Sequence, residues 1–368
     1  MPQQSPETRA LWVVRFEISS PEAIHRLIEL TTRYHFNTII PQVRGRGDAW
    51  YRSSYEPMAE SLEGQPADFD PLKMLVREGH QAGLRVIAWL NTYLTWTGEA
   101  LPKSKQHLVH LHPDWIARNR DNGYQTEVSG HVEGIYVQQS SPEVQDHLFR
   151  VYTEAAVKYD VDGIHFDYVR YPGEDYDFSD AAFRRFNEYL FEDHSDLALQ
   201  ADFTRQEMLD LIDRNPPIWG EWRRDQVTKL VKRIASGVKS KKPEMEVSAS
   251  VFPDPEDAYR VRGQDWRRWL KEGYLDALWP MAYSQNTEMV EKQIKMAVAA
   301  SSGHPVYAGL GAWQTSAEDC AEKIQRVRQL GVAGISLFSY DRITDSGKSI
   351  HYLEHLKATV FTDPVPRI

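Results

Sequence analysis

Cysteine is nearly missing from this 368-residue chain: Cys320 is the only one. It cannot form an intramolecular disulfide, so the redox compartment leaves no mark on the sequence. Cys320 falls in a helical pattern and reads as a half-buried spectator. Long apolar runs are missing as well. Nothing approaches the roughly 18 residues of a membrane-spanning helix. The opening stretch from Met1 to Glu7 is polar and lacks the apolar core of a signal peptide. Location therefore stays open, cytoplasmic for a complete chain and extracytoplasmic for a trimmed one. A basic surplus is also missing: 43 Lys and Arg face 53 Asp and Glu, a net charge of -10. With no Lys/Arg cluster, a nucleic-acid groove is not expected. There is no Gly-x-Ser-x-Gly elbow, no Walker loop and no Gly-rich dinucleotide loop after the first strand. His107, His110 and His112 are loosely spaced and read as surface residues. No His/Cys set has the spacing of a zinc site, so neither metal nor other cofactor is expected.

Aromatic residues are plentiful, with 11 Trp and 18 Tyr, which suits a site that stacks on the flat faces of sugars. Short apolar runs alternate with helical patterns, the mark of a parallel α/β fold. The strands are read at Leu11–Phe16, Thr38–Val43, Arg85–Leu90, Gly163–Tyr168, Glu246–Phe252, Ala277–Ala282, Val306–Leu310 and Gly334–Phe338. Helix starts are read at Ser20-Pro21, Asp70-Pro71 and Ser141-Pro142, each a capping residue followed by a first-turn proline. Two or three helices fill the stretch from Ser179 to Lys239. Eight βα units predict a (β/α)₈ TIM barrel in one domain spanning 1–368, with about eight peripheral residues at each end. The long loops, 44–69, 92–140 and 170–240, follow strands two, three and four, on the face where such barrels carry their chemistry.

Polar residues at the strand ends form a ring of candidates. Asp167 is the sharpest. His165, Asp167 and Arg170 are costly in a strand buried on both faces unless paired or functional. His165 and Asp167 share one face by the period of two. An aspartate beside Arg170 is expected to stay ionised, as suits a nucleophile or a charge that stabilises an oxocarbenium-like transition state; bracing Arg170 is the competing structural role. Glycoside hydrolysis usually needs a second carboxyl group. Asp254 is the first choice and Glu17 the second, with Asp341 a further candidate. Asp254 equally reads as a turn residue, and Glu17 as a carboxylate before a helix start. Gln42, Arg44, Asn91, His165, Arg170, Tyr283 and Tyr340 are expected to hold the sugar, with Trp89 and Trp313 stacking on it. Tyr93, Trp96 and Trp115 could extend the platform or simply pack their loop.

These pieces together resemble the glycosyl-hydrolase-like family 10 proteins. The resemblance rests on Asn37 to Arg44 with Asp48 to Tyr51, on Asp70-Pro71-Leu72, on Ala88 to Asn91 and on His112 to Trp115. Its strongest part is Asp162 to Pro172, and Trp266 to Tyr283 also fits. It covers the chain from the first strand to the last. It implies a (β/α)₈ fold and hydrolysis of glycosidic bonds with the strand-four aspartate, Asp167, catalytic. Some relatives look like bacterial envelope proteins acting on peptidoglycan glycan. Many relatives carry a second aspartate where this chain has Tyr168, and a glutamine where it has Met281. The expected partner is a carbohydrate substrate; the alternative is a carbohydrate-binding barrel without catalysis. The oligomeric state is not legible.

Overall fold

Eight short, wholly or almost wholly buried runs form parallel strands that close on themselves. They are β1 (Thr8–Val13), β2 (Thr38–Arg44), β3 (Arg85–Asn91), β4 (Gly163–Asp167), β5 (Glu246–Val251), β6 (Ala277–Ala282), β7 (Tyr307–Gly311) and β8 (Gly334–Phe338). Each pairs with its sequence neighbours, and β8 returns to β1 to complete the barrel. This computed structural model describes residues 6–98, 100–124, 133–344 and 349–365. The (β/α)₈ barrel agrees with the strand count.

The first strand sits three residues earlier than the sequence suggests. Thr8 and Ala10 already pair with Gly334 and Ser336 of β8, because Arg9 satisfies its charge by an ion pair with Glu7 at 2.8 Å. The chain then leaves the sheet. Arg15–Ile18 is a short 3₁₀ turn, and Phe16, expected inside a strand, is 48 % exposed.

Helices begin where a side-chain oxygen can accept an orphan backbone N–H. Ser20, Asp70, Ser141 and Ser316 cap the helices Pro21–Arg33, Pro71–Gln81, Pro142–Lys158 and Ala317–Arg328 in this way. Three helices, Asp180–Asp193, Arg205–Arg214 and Pro216–Lys239, fill the long excursion after β4. Among the described residues, three short helices were not foreseen: Leu108–Leu111 after β3, Pro255–Arg260 after β5 and Tyr340–Thr344 after β8. His107 is buried rather than at the surface. Its Nε2 lies 2.6 Å from the Arg46 carbonyl and its Nδ1 accepts from Val109 N.

One large apolar cluster lies between the barrel and its helices, and a smaller one under the helices after β4. A third fills the barrel itself. There Trp12 meets Trp89 at 5.0 Å, His165 at 4.9 Å and Trp279 at 5.9 Å between ring centroids, all edge-on. This layer plugs the barrel and forms a dry floor beneath the strand ends. Trp12 Nε1 finds its partner in Ser336 Oγ at 3.1 Å.

The barrel closes tightly at β1 and β8. A Cβ added to Gly334 would drive into the Thr8 carbonyl. Gly334→Ala is therefore expected to cost about 1–3 kcal/mol of stability, as overpacking does. Urea unfolding of the two proteins measures it.

Candidate active site

A cavity of about 250 Å³ opens at the C-terminal ends of the strands, the face on which such barrels carry their chemistry. Its lining comes from seven strands or the residues just past them: Trp12, Val14 and Arg15 from β1, Gln42 from β2, Trp89 from β3, Asp167, Tyr168 and Arg170 from β4, Ser250 from β5, Met281 and Tyr283 from β6, and Phe338 from β8. The floor is the aromatic plug.

Asp167 is 7 % exposed. Its Oδ1 accepts from Tyr168 N at 2.7 Å and lies 3.5 Å from Arg170 Nη1. Burial raises the Asp167 carboxyl above its ordinary value, although Arg170 and the Tyr168 amide work against it. The ionised state expected from the Arg170 neighbour is thus disfavoured by desolvation. Burial also pushes the Tyr283 hydroxyl well up, so it remains a neutral donor. Tyr168 holds a left-handed φ of 49°, an uncommon and costly backbone for a bulky side chain. The strand is therefore bent sharply just past the carboxylate.

The other expected residues divide by depth and direction. Gln42, Trp89, Arg170 and Tyr283 reach the cavity with Asp167. Trp313 is 37 % exposed and packs edge-on against Tyr283 at 5.0 Å and Phe338 at 5.6 Å, which places it on the rim. Asn91 stands behind the wall. Its Oδ1 accepts from Trp89 Nε1 at 2.9 Å and from Gln42 Nε2 at 3.4 Å, and its Nδ2 donates to the Gly45 carbonyl at 2.8 Å. It fixes two cavity residues without lining the cavity.

Five expectations need correction on position. His165 does share a face with Asp167, but each strand residue rises about 3.3 Å, so it sits two steps deeper. It is fully buried, its ring nitrogens engage Ser248 Oγ at 3.0 Å and Ser250 Oγ at 2.9 Å, and burial takes it down to about 3. It is a neutral strut in the plug. Arg44 is aimed away from the mouth, because the register slips between Gln42 and Arg44. Its guanidinium is buried against Glu56 at 2.6 Å and bonds the carbonyls of Asn91 and Thr92. Tyr340 is buried in the main core. Asp254 is exposed and spends its carboxylate on the amides of Glu256 and Asp257, capping the unforeseen helix. Glu17 lies in the 3₁₀ turn outside the cavity lining. Of the loop aromatics, Tyr93 and Trp96 are buried and pack their loop.

A carboxylate that the sequence did not single out comes close instead. Glu133, in the loop after β3, lies 3.3 Å from Arg170 Nη2, and its side chain is 40 % exposed. Tyr136 donates to its other oxygen at 3.0 Å. Asp167 and Glu133 contact the two terminal nitrogens of the same guanidinium, at 3.5 Å and 3.3 Å, so one cation is shared by both carboxyl groups. Nothing in the sequence marks Glu133, since its position depends on the path of a long loop.

The chain belongs to the glycosyl hydrolase-like 10 family, whose model matches residues 7–311. It is 26 % identical over 313 residues to the glycosyl hydrolase YngK of Bacillus subtilis, covering 76 % of this chain and 55 % of that protein. It is 25 % identical over 280 residues to the glycosyl hydrolase DigH of Escherichia coli K12, covering 68 % and 55 %. The chain thus spans about half the length of these relatives. Among solved structures, the glycoside hydrolase domain of PgaB from Bordetella bronchiseptica aligns with a TM-score of 0.68 at 16 % identity, over 96 % of this chain and 98 % of that one. That likeness speaks for the fold.

The Arg44–Glu56 pair carries a stability prediction. Burial alone would raise the Glu56 carboxyl; the Arg44 charge and the His147 ring, 3.1 Å away, pull it down to about 2. A folded value below the ordinary value of about 4.3 adds stability that is complete above that pH and fades as pH falls toward 2. Glu56→Gln is expected to lose roughly 3 kcal/mol or more at pH 7, since it strands a buried charge. The gap should narrow at pH 3, as denaturant titrations at the two pH values would show.

Proposed function

We propose that this chain hydrolyses O-glycosidic bonds of an oligo- or polysaccharide, a bacterial cell-envelope glycan being the substrate class, with Asp167 as the central carboxylate. The observation that carries the reading is the Asp167–Arg170–Glu133 bridge at the mouth of the plugged barrel. A barrel that only binds sugar has no need of a desolvated carboxyl group that shares a cation with a second one.

The roles follow from environment. Asp167, raised by burial, is the group that carries a proton and gives it to the leaving oxygen. Glu133, half-exposed and held by Tyr136 and Arg170, serves the opposite side as base or nucleophile. Trp89 and the rim Trp313 offer faces for the sugar, while Gln42 and the neutral Tyr283 hydroxyl offer hydrogen bonds. Asp254 and Glu17 drop out of the acid/base role in this reading because neither lines the cavity.

Asp167→Asn is expected to lower kcat/KM by about 10³-fold or more on a cleaved glycan, in line with loss of a general acid. Its melting temperature should hold or rise. The folded-state value of Asp167 is raised, so above the ordinary aspartate range its ionisation costs stability, which the amide removes. A drop in melting temperature with unchanged turnover would make Asp167 a brace for Arg170. The screen should include peptidoglycan and bacterial exopolysaccharides.

The pH profile separates proton donor from nucleophile. A donor must be protonated, so activity falls on the alkaline side at a pH set by Asp167. Removing the cation in Arg170→Met raises that value further, and the alkaline limb should move to higher pH. If Asp167 worked ionised, the same change would move an acid limb instead. Glu133→Gln should abolish turnover while leaving sugar binding within a few-fold.

A further inference from the structure

The cavity lining contains two guanidinium groups and one carboxylate. Arg170 has counter-charges in Asp167 and Glu133. Arg15 does not. Among the described residues no carboxylate oxygen comes within 4 Å of it. Its Nη1 donates to Gln42 Oε1 at 2.8 Å, and its Nε is buried without a hydrogen-bond partner. The face of the exposed Phe16 ring, 4.5 Å from Cζ, is its other neighbour.

The charges around Arg15 do not neutralise it. Arg46 is a like charge that bears on it. Asp48, the acid that bears on Arg15, is engaged by Arg46 through the backbone amide at 3.0 Å and the guanidinium at 3.9 Å. Burial and Arg46 together bring Arg15 down to about 10, with Asp48 and the Tyr168 hydroxyl opposing. A partly buried cation without a close counter-charge costs stability, and the chain keeps this one at the wall of its cavity. Gln42 orients it: the amide is fixed by Asn91, which also fixes Trp89. The guanidinium fork is thus presented on the same scaffold as the stacking indole. A planar fork of N–H donors matches the oxygens of a carboxylate or sulfate group.

We infer that Arg15 receives an anionic substituent, a carboxylate or a sulfate ester, on the sugar ring that occupies the cavity, so that the substrate is an acidic glycan. This rests on the reading of the cavity as the site of glycoside hydrolysis, and it deepens that reading by naming the substrate class.

The test is equilibrium binding to the full chain at low ionic strength, which reads the site without turnover. Glucuronate, galacturonate and glucose 6-sulfate are compared with glucose and galactose by calorimetry. At least one acidic sugar is expected to bind tenfold or more tightly than its neutral counterpart; uronates and the sulfate ester separate the two anion sources. Arg15→Gln should erase the preference. Gly45→Ala provides a second variant that keeps the charge. Its new Cβ would stand 2.6 Å from Arg15 Cδ and displace the flexible side chain, so the preference should fall at least several-fold while the melting temperature stays near wild type. Equal affinity for acidic and neutral sugars, or a preference that survives in Arg15→Gln, overturns the inference. Cleavage of neutral glycans at a rate unchanged in Arg15→Gln would overturn it too and leave the hydrolase reading standing. Acidic-sugar selectivity in a protein that cleaves no glycan would instead overturn the hydrolase reading and keep the anion site.

Discussion

Desolvation of one carboxyl group governs the mouth of this barrel. Asp167 ends β4 above a layer of indole and imidazole rings that leaves little room for water below it. In such surroundings the charged form loses its hydration, and only a fixed cation and backbone amide replace part of it. Arg170 and the amide of Tyr168 do so incompletely, and the carboxyl stays raised. The left-handed backbone at Tyr168, the neutral Tyr283 hydroxyl and the shared contact of Arg170 with Glu133 are organised around that group.

The wall of the cavity is held by polar side chains that do not face it. Asn91 ties Trp89 to Gln42 and to the Gly45 carbonyl. Arg44, fixed by Glu56, bonds the carbonyls at the end of β3. His165 links β4 to β5 through Ser248 and Ser250, the second of which lines the cavity. A network with every member satisfied is rigid in a low dielectric. The residues that touch solvent at the site are few, and those that keep them in place are several.

The fold was legible because its signals are local. A buried run between turn residues, followed by a capping residue and proline, occurs again and again, and the barrel follows from counting. Asp254 shows how the same signal can be passed over. Asp254-Pro255 repeats the helix start of Asp70-Pro71, yet the preceding Pro253 gives it the pattern of a turn. The candidate site was legible only in part. A period of two gives the face of His165 but not its depth, and a register slip after Gln42 cannot be seen in the sequence although it turns Arg44 outward. Glu133 has no periodicity to place it; only the folded loop after β3 brings it to Arg170.

The central claim is that Asp167 donates the proton to the departing oxygen, and leaving-group dependence tests it most directly. Turnover by Asp167→Ala is measured on an unactivated glycoside and on the matching 2,4-dinitrophenyl glycoside, whose leaving group needs no proton. The account predicts a loss of about 10³-fold on the first and a small loss on the second. An equal loss on both would contradict it.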